Sequence, residues 1–313
     1  ILICNIWILM SEKNTYTTLN NGLKMPLMGY GTFLSEEGKD LHENVVYAIV
    51  ECGYRHLDTA ALYGNETVIG EALQECFEKG IKREDLFITT KVWRTEFNDC
   101  EASMKTSLEK LQLDYVDLLL IHWTVTDVDW ETAEIKGPPM YLVWKQFEAI
   151  VEAGYSKSIG ISNANAMTFL DMVAGAKIKP VTNQIETNPY HSQQKLVDFM
   201  TKFGCTTTAY APMGAAGFTG SDLLKDEVLI AIGEKHSTTA AQVALAWNIQ
   251  RGVIVIPKSM TKERIKSNFE ALDVKLDEED IEKINALNGD KRHFNPEGWN
   301  FPEYGWVNVP IFA

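Results

Sequence analysis

Short apolar runs alternate with amphipathic stretches along almost the whole chain. The runs at residues 25–32, 56–60, 86–92, 115–123, 156–163, 180–186, 206–212 and 253–259 read as strands. Most are nearly continuous in apolar residues, the pattern of strands covered on both faces. Between them, residues 41–52, 66–78, 102–111, 141–153, 166–174, 195–203 and 239–249 repeat apolar positions at the three-to-four-residue spacing of a helix with one buried stripe. Strands and helices alternating through short connections predict an α/β chain with a parallel sheet covered by helices. Eight such units without a break in composition favour a closed (β/α)8 TIM barrel over an open doubly wound sheet.

Ahead of the first unit, residues 16–24 carry an Asn21-Gly22 hairpin signal, and this hairpin is expected to plug the bottom of the barrel. Three connections are long: residues 124–139, 213–225 and the tail 289–313. On a barrel all three rise over the C-terminal face, and long loops in a compact domain usually carry function. Residues 1–9 are apolar but far short of the about 20 residues that span a bilayer. They also lack a basic leader and a small-residue cleavage site. They are expected to be a non-native extension ahead of Met10, leaving residues 10–313 as a single barrel domain.

Composition narrows the class. A chain of 313 residues, 45% hydrophobic, can bury one large core. Its net charge of −14 argues against nucleic acid or an anionic membrane as partner and leaves a small molecule. The five cysteines are an odd number, scattered and without a CxxC pair, which reads as reduced thiols in a cytoplasmic protein. No metal site is expected, and the chain is expected to act as a monomer or homodimer.

In a parallel barrel the C-terminal ends of the strands share one mouth. Asp58, Tyr63, Lys91 and His122 fall at or just beyond such ends, on the second, third and fourth strands. Reducing a carbonyl needs a hydride on carbon and a proton on oxygen. A phenol can give that proton, but with a reference pKa of about 10 it is a weak acid. A cation within about 4–6 Å lowers that value by roughly 1–3 units, and Lys91 supplies the cation. Asp58 would hold Lys91 and keep it charged, while His122 would orient the substrate oxygen. Taken singly, these residues read as a buried ion pair, a core histidine and a rim aromatic. Their co-occurrence, in order and in these contexts, overrides the plainer readings. His56 shares the inward face of Asp58 lower down and reads as structural.

The eighth strand ends in a cationic turn, residues 256–268. Ser259 to Thr261 open a helix whose free N–H groups and dipole favour an anion. Arg264 and Asn268, four apart, share one face of it.

The segments 53–70, 86–93, 118–123 and 256–268 together closely resemble the aldo-keto reductase family, and the likeness runs from about residue 16 to residue 313. It implies a barrel that reduces small carbonyl substrates, aldehydes and aldoses, with Asp58, Tyr63, Lys91 and His122 as the catalytic set and Tyr63 as general acid. The implied cofactor is NADPH/NADP+, with NADH as the alternative. Lys258, Ser259 and Arg264 would grip the 2′-phosphate and Asn268 the adenine. Ser162, Asn163 and Gln184 would bond the carboxamide, Tyr210 would stack on the nicotinamide, and Gly31 and Thr32 complete the cofactor set. Phe33, Leu62, Trp93 and Trp123 match the substrate pocket. The tail, residues 292–295 and 309–313, resembles fungal xylose reductases and related sugar reductases, where the position of Asn295 contacts a substrate hydroxyl.

Some positions depart from the family pattern. Ala211 stands where Ser is common, Ala164 where Phe is common, and Ser267 where Glu or Gln touches the adenine. The glycine-rich segment 214–220 has the wrong context for a dinucleotide-binding motif. Two other readings use the same barrel: a cofactor-binding barrel that regulates a membrane channel, and a Schiff-base aldolase using Lys91.

Overall fold

The computed structural model describes residues 16–35, 39–129, 132–297 and, in the tail, 300–301, 306–307 and 311. The expected extension at residues 1–9 lies outside them, as do residues 309, 310, 312 and 313 of the tail motif.

Tyr16–Thr18 (β1) and Lys24–Pro26 (β2) pair antiparallel. The turn between them is closed by a Leu19 N–H to Leu23 O bond of 2.8 Å, and Gly22 takes the φ of 88° that the turn requires. The chain then enters the barrel with Tyr30–Gly31 (β3), His56–Asp58 (β4), Phe87–Val92 (β5) and Leu118–Ile121 (β6). A small outer hairpin, Val128–Asp129 (β7) with Glu134–Ile135 (β8), interrupts the series. Ile159–Ser162 (β9), Thr182–Glu186 (β10), Thr206–Tyr210 (β11) and Ile254–Val255 (β12) complete it. All eight barrel strands pair in parallel, each beside its predecessor in the series. Closure runs through Met28 and Val255, with Gly29 N donating to Val255 O at 2.8 Å and Gly31 N to Pro257 O at 3.0 Å. A Cβ at Gly31 would lie 2.7 Å from Ile256 O, so the closing seam itself demands glycine there.

The expected first strand, residues 25–32, is in fact two. Pro26 has no N–H to continue a ladder, so the chain leaves the hairpin there and rejoins the sheet only at Tyr30. The helices Glu66–Glu78 and Ala166–Ala174 have the expected bounds. The stretch 41–52 is instead an α-helix, Lys39–Val46, that widens into a π-helical turn, Tyr47–Cys52, and stops at Gly53 with φ 90°. Two helices absent from the sequence reading, Glu227–Lys235 and Glu278–Asn285, each start on an aspartate, Asp226 and Asp277, whose carboxylate accepts a first-turn N–H. Helix Lys262–Glu270 follows the cationic turn, as expected.

Alternation along the strands sorts the interior into layers. Leu57, Ile88, Val92, Leu119, Ile121, Ile159 and Ile161 face out to the helices, in the large core. Phe87, Leu118, Leu120 and Ile254 face in, and with Leu19 and Met25 of the hairpin and Val181 they fill the bottom, so the hairpin does plug the barrel. Above them His56 meets Thr89 at 3.3 Å, and Thr182 meets Thr208 at 2.9 Å. The next step up brings Asp58, Lys91 and Gln184 together. Cys52, Cys76, Cys100 and Cys205 are buried and unbridged. Among the described residues no helix is long and apolar enough to cross a membrane.

Candidate active site

Strand register places the four expected catalytic residues around one mouth. Asp58 ends β4 opposite Thr89, Lys91 lies one residue before the end of β5 opposite Leu120, and His122 follows β6. Tyr63 ends a single 3-10 turn, Ala61–Tyr63, that Gly64 terminates with φ 69°. Asn65 pins this turn: it accepts from Thr59 Oγ1 at 2.9 Å and donates to Thr32 O at 3.0 Å, while Thr32 Oγ1 donates to Asp58 O at 3.0 Å.

The Lys91 ammonium uses its three protons within this set. It donates to Asp58 Oδ1 at 2.5 Å, to Thr59 O at 2.8 Å and to Tyr63 Oη at 3.3 Å. Gln184 Nε2 donates to the other Asp58 oxygen at 2.7 Å. Burial pushes the Lys91 pKa down, and Asp58 pushes it back up, the part expected of that carboxylate. Tyr63 departs from expectation. Its pKa is raised, first by burial and then by the charge on Asp58. The predicted lowering by Lys91 does not win, because that cation is already neutralised by Asp58 at contact distance. The phenol therefore holds its proton at neutral pH. His122 is neutral, with its pKa driven well down by burial and by Lys91, and its Nδ1 is buried without a partner.

On the opposite wall, Ser162, Asn163, Gln184 and Tyr210 form one chain of hydrogen bonds. Ser162 Oγ donates to Gln184 O at 2.7 Å, and Asn163 Nδ2 donates to Ser162 Oγ at 3.1 Å and to His122 O at 3.0 Å. Tyr210 Oη donates to Asn163 Oδ1 at 2.8 Å. Gln184 Oε1 has no partner among the described residues. Asn163 and Ala211, the first residues past β9 and β11, both take left-handed backbone, φ 60° and 46°. Such strain gathers where a site over-determines the chain.

The cationic turn lies along the closing seam. Lys258 Nζ donates to Leu34 O at 3.0 Å, and Tyr30 Oη donates to Ser259 O at 2.7 Å. Ser259 Oγ accepts from Thr261 N at 3.1 Å. Arg264 is exposed and has no ion-pair partner among the described residues, whereas Asn268 is buried.

Of the expected substrate wall, Trp93 packs edge-on to His122, ring centroids 5.0 Å apart, and Phe33 lies 5.1 Å from Tyr63. Trp123 is buried and Leu62 half-buried. Asn295 accepts from Glu297 N at 3.2 Å, which occupies its oxygen and leaves its Nδ2 without a partner among the described residues. Three contributors escaped the sequence reading. Arg94, fully buried, ties the 124–139 loop through Thr126 O at 3.3 Å and Asp127 at 3.6 Å. Glu186 holds the tail, and Phe294 brings a tail aromatic to Tyr210 at 5.3 Å. A carboxylate ending an apolar strand was the one available signal for Glu186.

A barrel whose strand ends gather an Asp–Lys–Tyr–His set, beside an amide-rich wall and a cationic helix start, defines a class, and comparison with known proteins agrees. The family model described as Aldo/keto reductase family matches residues 27–289. The chain belongs to that family and is an oxidoreductase. It is 39% identical over 297 residues to aldo-keto reductase family 1 member A1-A of Danio rerio, covering 89% of this chain and 91% of that one. It is 39% identical to aldose reductase B of Dictyostelium discoideum, covering 97% and 100%. Among solved structures it matches the aldo-keto reductase AKR2E5 of the silkworm Bombyx mori, complexed with NADPH, with TM-score 0.85 and 35% identity over 95% of this chain and 93% of that one.

Proposed function

We propose that this mouth, on one barrel domain spanning residues 10–313, reduces aldehydes and the open-chain forms of aldoses to alcohols with NADPH. The observation that carries the reading is the Lys91 ammonium held between Asp58 at 2.5 Å and the Tyr63 hydroxyl at 3.3 Å.

The cofactor, when bound, supplies the hydride. The residues present suit it. Gln184 Oε1 is an unused acceptor at the base of the mouth, fit for an amide N–H, and Ser162 and Asn163 stand beside it. Arg264, at the start of a helix and without an ion-pair partner among the described residues, suits a phosphate, with Lys258 and Ser259 nearby and Asn268 one turn further on. Gly31 and Thr32 belong to the floor: the first lets the seam close, the second fixes Asp58 and Asn65.

Tyr63 gives its proton to the carbonyl oxygen. Its raised pKa keeps that proton in place until transfer, and the phenolate then formed lies beside Lys91, which lowers the cost of the step. Asp58 fixes the ammonium, and Gln184 fixes Asp58. Neutral His122 can donate from a ring nitrogen and so orient the carbonyl oxygen. Trp93, Trp123 and Phe33 give the substrate an aromatic wall, and the Asn295 Nδ2, without a partner among the described residues, suits a hydroxyl next to the carbonyl. A Schiff-base role for Lys91 is disfavoured, because its side chain has no exposed surface and its donors are all engaged.

The test is an initial-rate panel of aldoses, sugar phosphates and aromatic aldehydes with NADPH and with NADH. Turnover of aldehydes with NADPH is expected. Cofactor binding without turnover of any member would overturn the reading in favour of a regulatory barrel.

A further inference from the structure

Glu186 ends β10 fully buried, yet forms no part of the Asp58–Lys91 network. Its carboxylate faces the tail backbone instead. His293 N donates to Oε1 at 3.0 Å and to Oε2 at 3.1 Å, and Phe294 N donates to Oε2 at 2.8 Å. The Asn188 amide adds a long bond of 3.5 Å. A second tie runs alongside: Gln193 donates to Glu186 O at 2.6 Å and accepts from Arg292 at 3.2 Å. No cation lies within ion-pair distance of Glu186 among the described residues. A buried carboxylate on these terms is costly unless N–H groups satisfy it, and here the tail supplies most of them.

The consequence lies at Phe294. Its neighbours His293 and Asn295 are half-exposed, but Phe294 is only 8% exposed. Its ring lies 5.3 Å from Tyr210 and 6.4 Å from Phe33, and Phe33 lies 5.1 Å from Tyr63. Tyr63 meets His122 at 5.6 Å, His122 O accepts from Asn163, and Asn163 accepts from Tyr210. These contacts close on themselves. Tyr63, Phe33, Phe294, Tyr210, Asn163 and His122 form a collar around the mouth, and among the described residues Phe294 is its member from the tail.

We infer that Glu186 is a specificity-determining positioning residue, whose carboxylate fixes the tail backbone so that Phe294 completes the collar and forms one wall for the substrate. The inference rests on the reading of this mouth as the reductase site. Glutamine cannot replace Glu186, since it offers one oxygen and turns an N–H donor toward the tail's own donors. A substrate with an aromatic body uses the Phe294 wall, and a short aliphatic aldehyde has too little surface to do so.

The experiment compares benzaldehyde and propanal, with NADPH, in wild type, Glu186→Gln, Phe294→Ala and the double variant. Losing one aromatic contact should lower the benzaldehyde-to-propanal ratio of kcat/KM by about two- to tenfold, chiefly through KM. The two single variants should show the same fall, and the double variant no more than either. Hydrogen exchange should accelerate at residues 292–297 in Glu186→Gln and stay unchanged in the barrel strands. An active wild type with an unmoved ratio, losses that multiply in the double variant, or unchanged tail exchange would each overturn the inference alone. If Glu186→Gln folds poorly, an unmoved ratio in Phe294→Ala overturns it equally. A wild type that reduces neither aldehyde overturns the reductase reading, and this role with it.

Discussion

Gln184 donates its side-chain amide to Asp58 Oδ2 at 2.7 Å, across 126 positions of sequence. The residue expected under the nicotinamide carboxamide is therefore also the second support of the carboxylate that holds Lys91. On the proposed reading, seating of the cofactor and placement of the ammonium share one side chain.

Gln184→Leu is accordingly expected to impair both binding and chemistry. A hydrogen bond to a charged group is worth about 1.5–3 kcal/mol, so kcat/KM should fall about tenfold to a hundredfold. Steady-state rates and NADPH titration separate the parts. Weaker NADPH binding with wild-type kcat would show that Asp58 holds Lys91 unaided.

Tyr63→Phe removes the proposed proton donor and little volume. Reduction should drop at least about a hundredfold, the usual worth of general acid catalysis, with NADPH affinity nearly unchanged. Turnover above roughly a tenth of wild type would remove Tyr63 from the role.

Lys91→Met leaves Asp58 buried and uncompensated, at a cost of about 3–5 kcal/mol in urea unfolding. Adding Asp58→Asn should recover much of that stability and none of the activity. If activity returns with stability, the pair is only structural.

Arg264→Ala should weaken NADPH about ten- to hundredfold and NADH far less, since NADPH alone carries the 2′-phosphate. Equal losses would mean that Arg264 supports its helix and does not read the phosphate.

Stability should fall below about pH 6.5, the value of an unfolded histidine. Burial holds His56 down to about 3 and His191 to about 4, and drives His122 well below its usual range. All three bind protons on unfolding but not in the native state, so stability is present above pH 6.5 and lost as pH falls toward the folded values. Three protons give at most about 4 kcal/mol per pH unit. Glu66 and Glu186, raised by burial, oppose this nearer pH 4.5. Urea unfolding at pH 7.0, 6.0 and 5.0 measures the slope. His191→Gln should reduce it by one proton, and an unchanged slope would mean that His191 is charged in the native state.

Much of the fold was legible locally. Apolar runs with helical spacing between them gave eight parallel units, because strand and helix periodicity follow from side chains a few residues apart. The Pro26 break was visible in the sequence, and its effect depended on the hairpin finding a partner under the barrel. Asp58, Tyr63, Lys91 and His122 stood out because charged and titratable groups interrupt apolar runs at strand ends. Glu186 interrupts one too, but nothing near it announces a tail 107 residues away.

The amino-acid order by itself determined which residue types stand at the barrel mouth and on which strands, since alternation and strand order set them. Only the tertiary structure decided what those residues do to one another. Lys91 lies between Asp58 and Tyr63, yet the Tyr63 pKa rises, because burial and a neighbouring carboxylate outweigh a cation already neutralised. Hydrogen-bond partners and burial are properties of three-dimensional neighbourhoods, and in a closed barrel those neighbourhoods join segments that lie far apart along the chain.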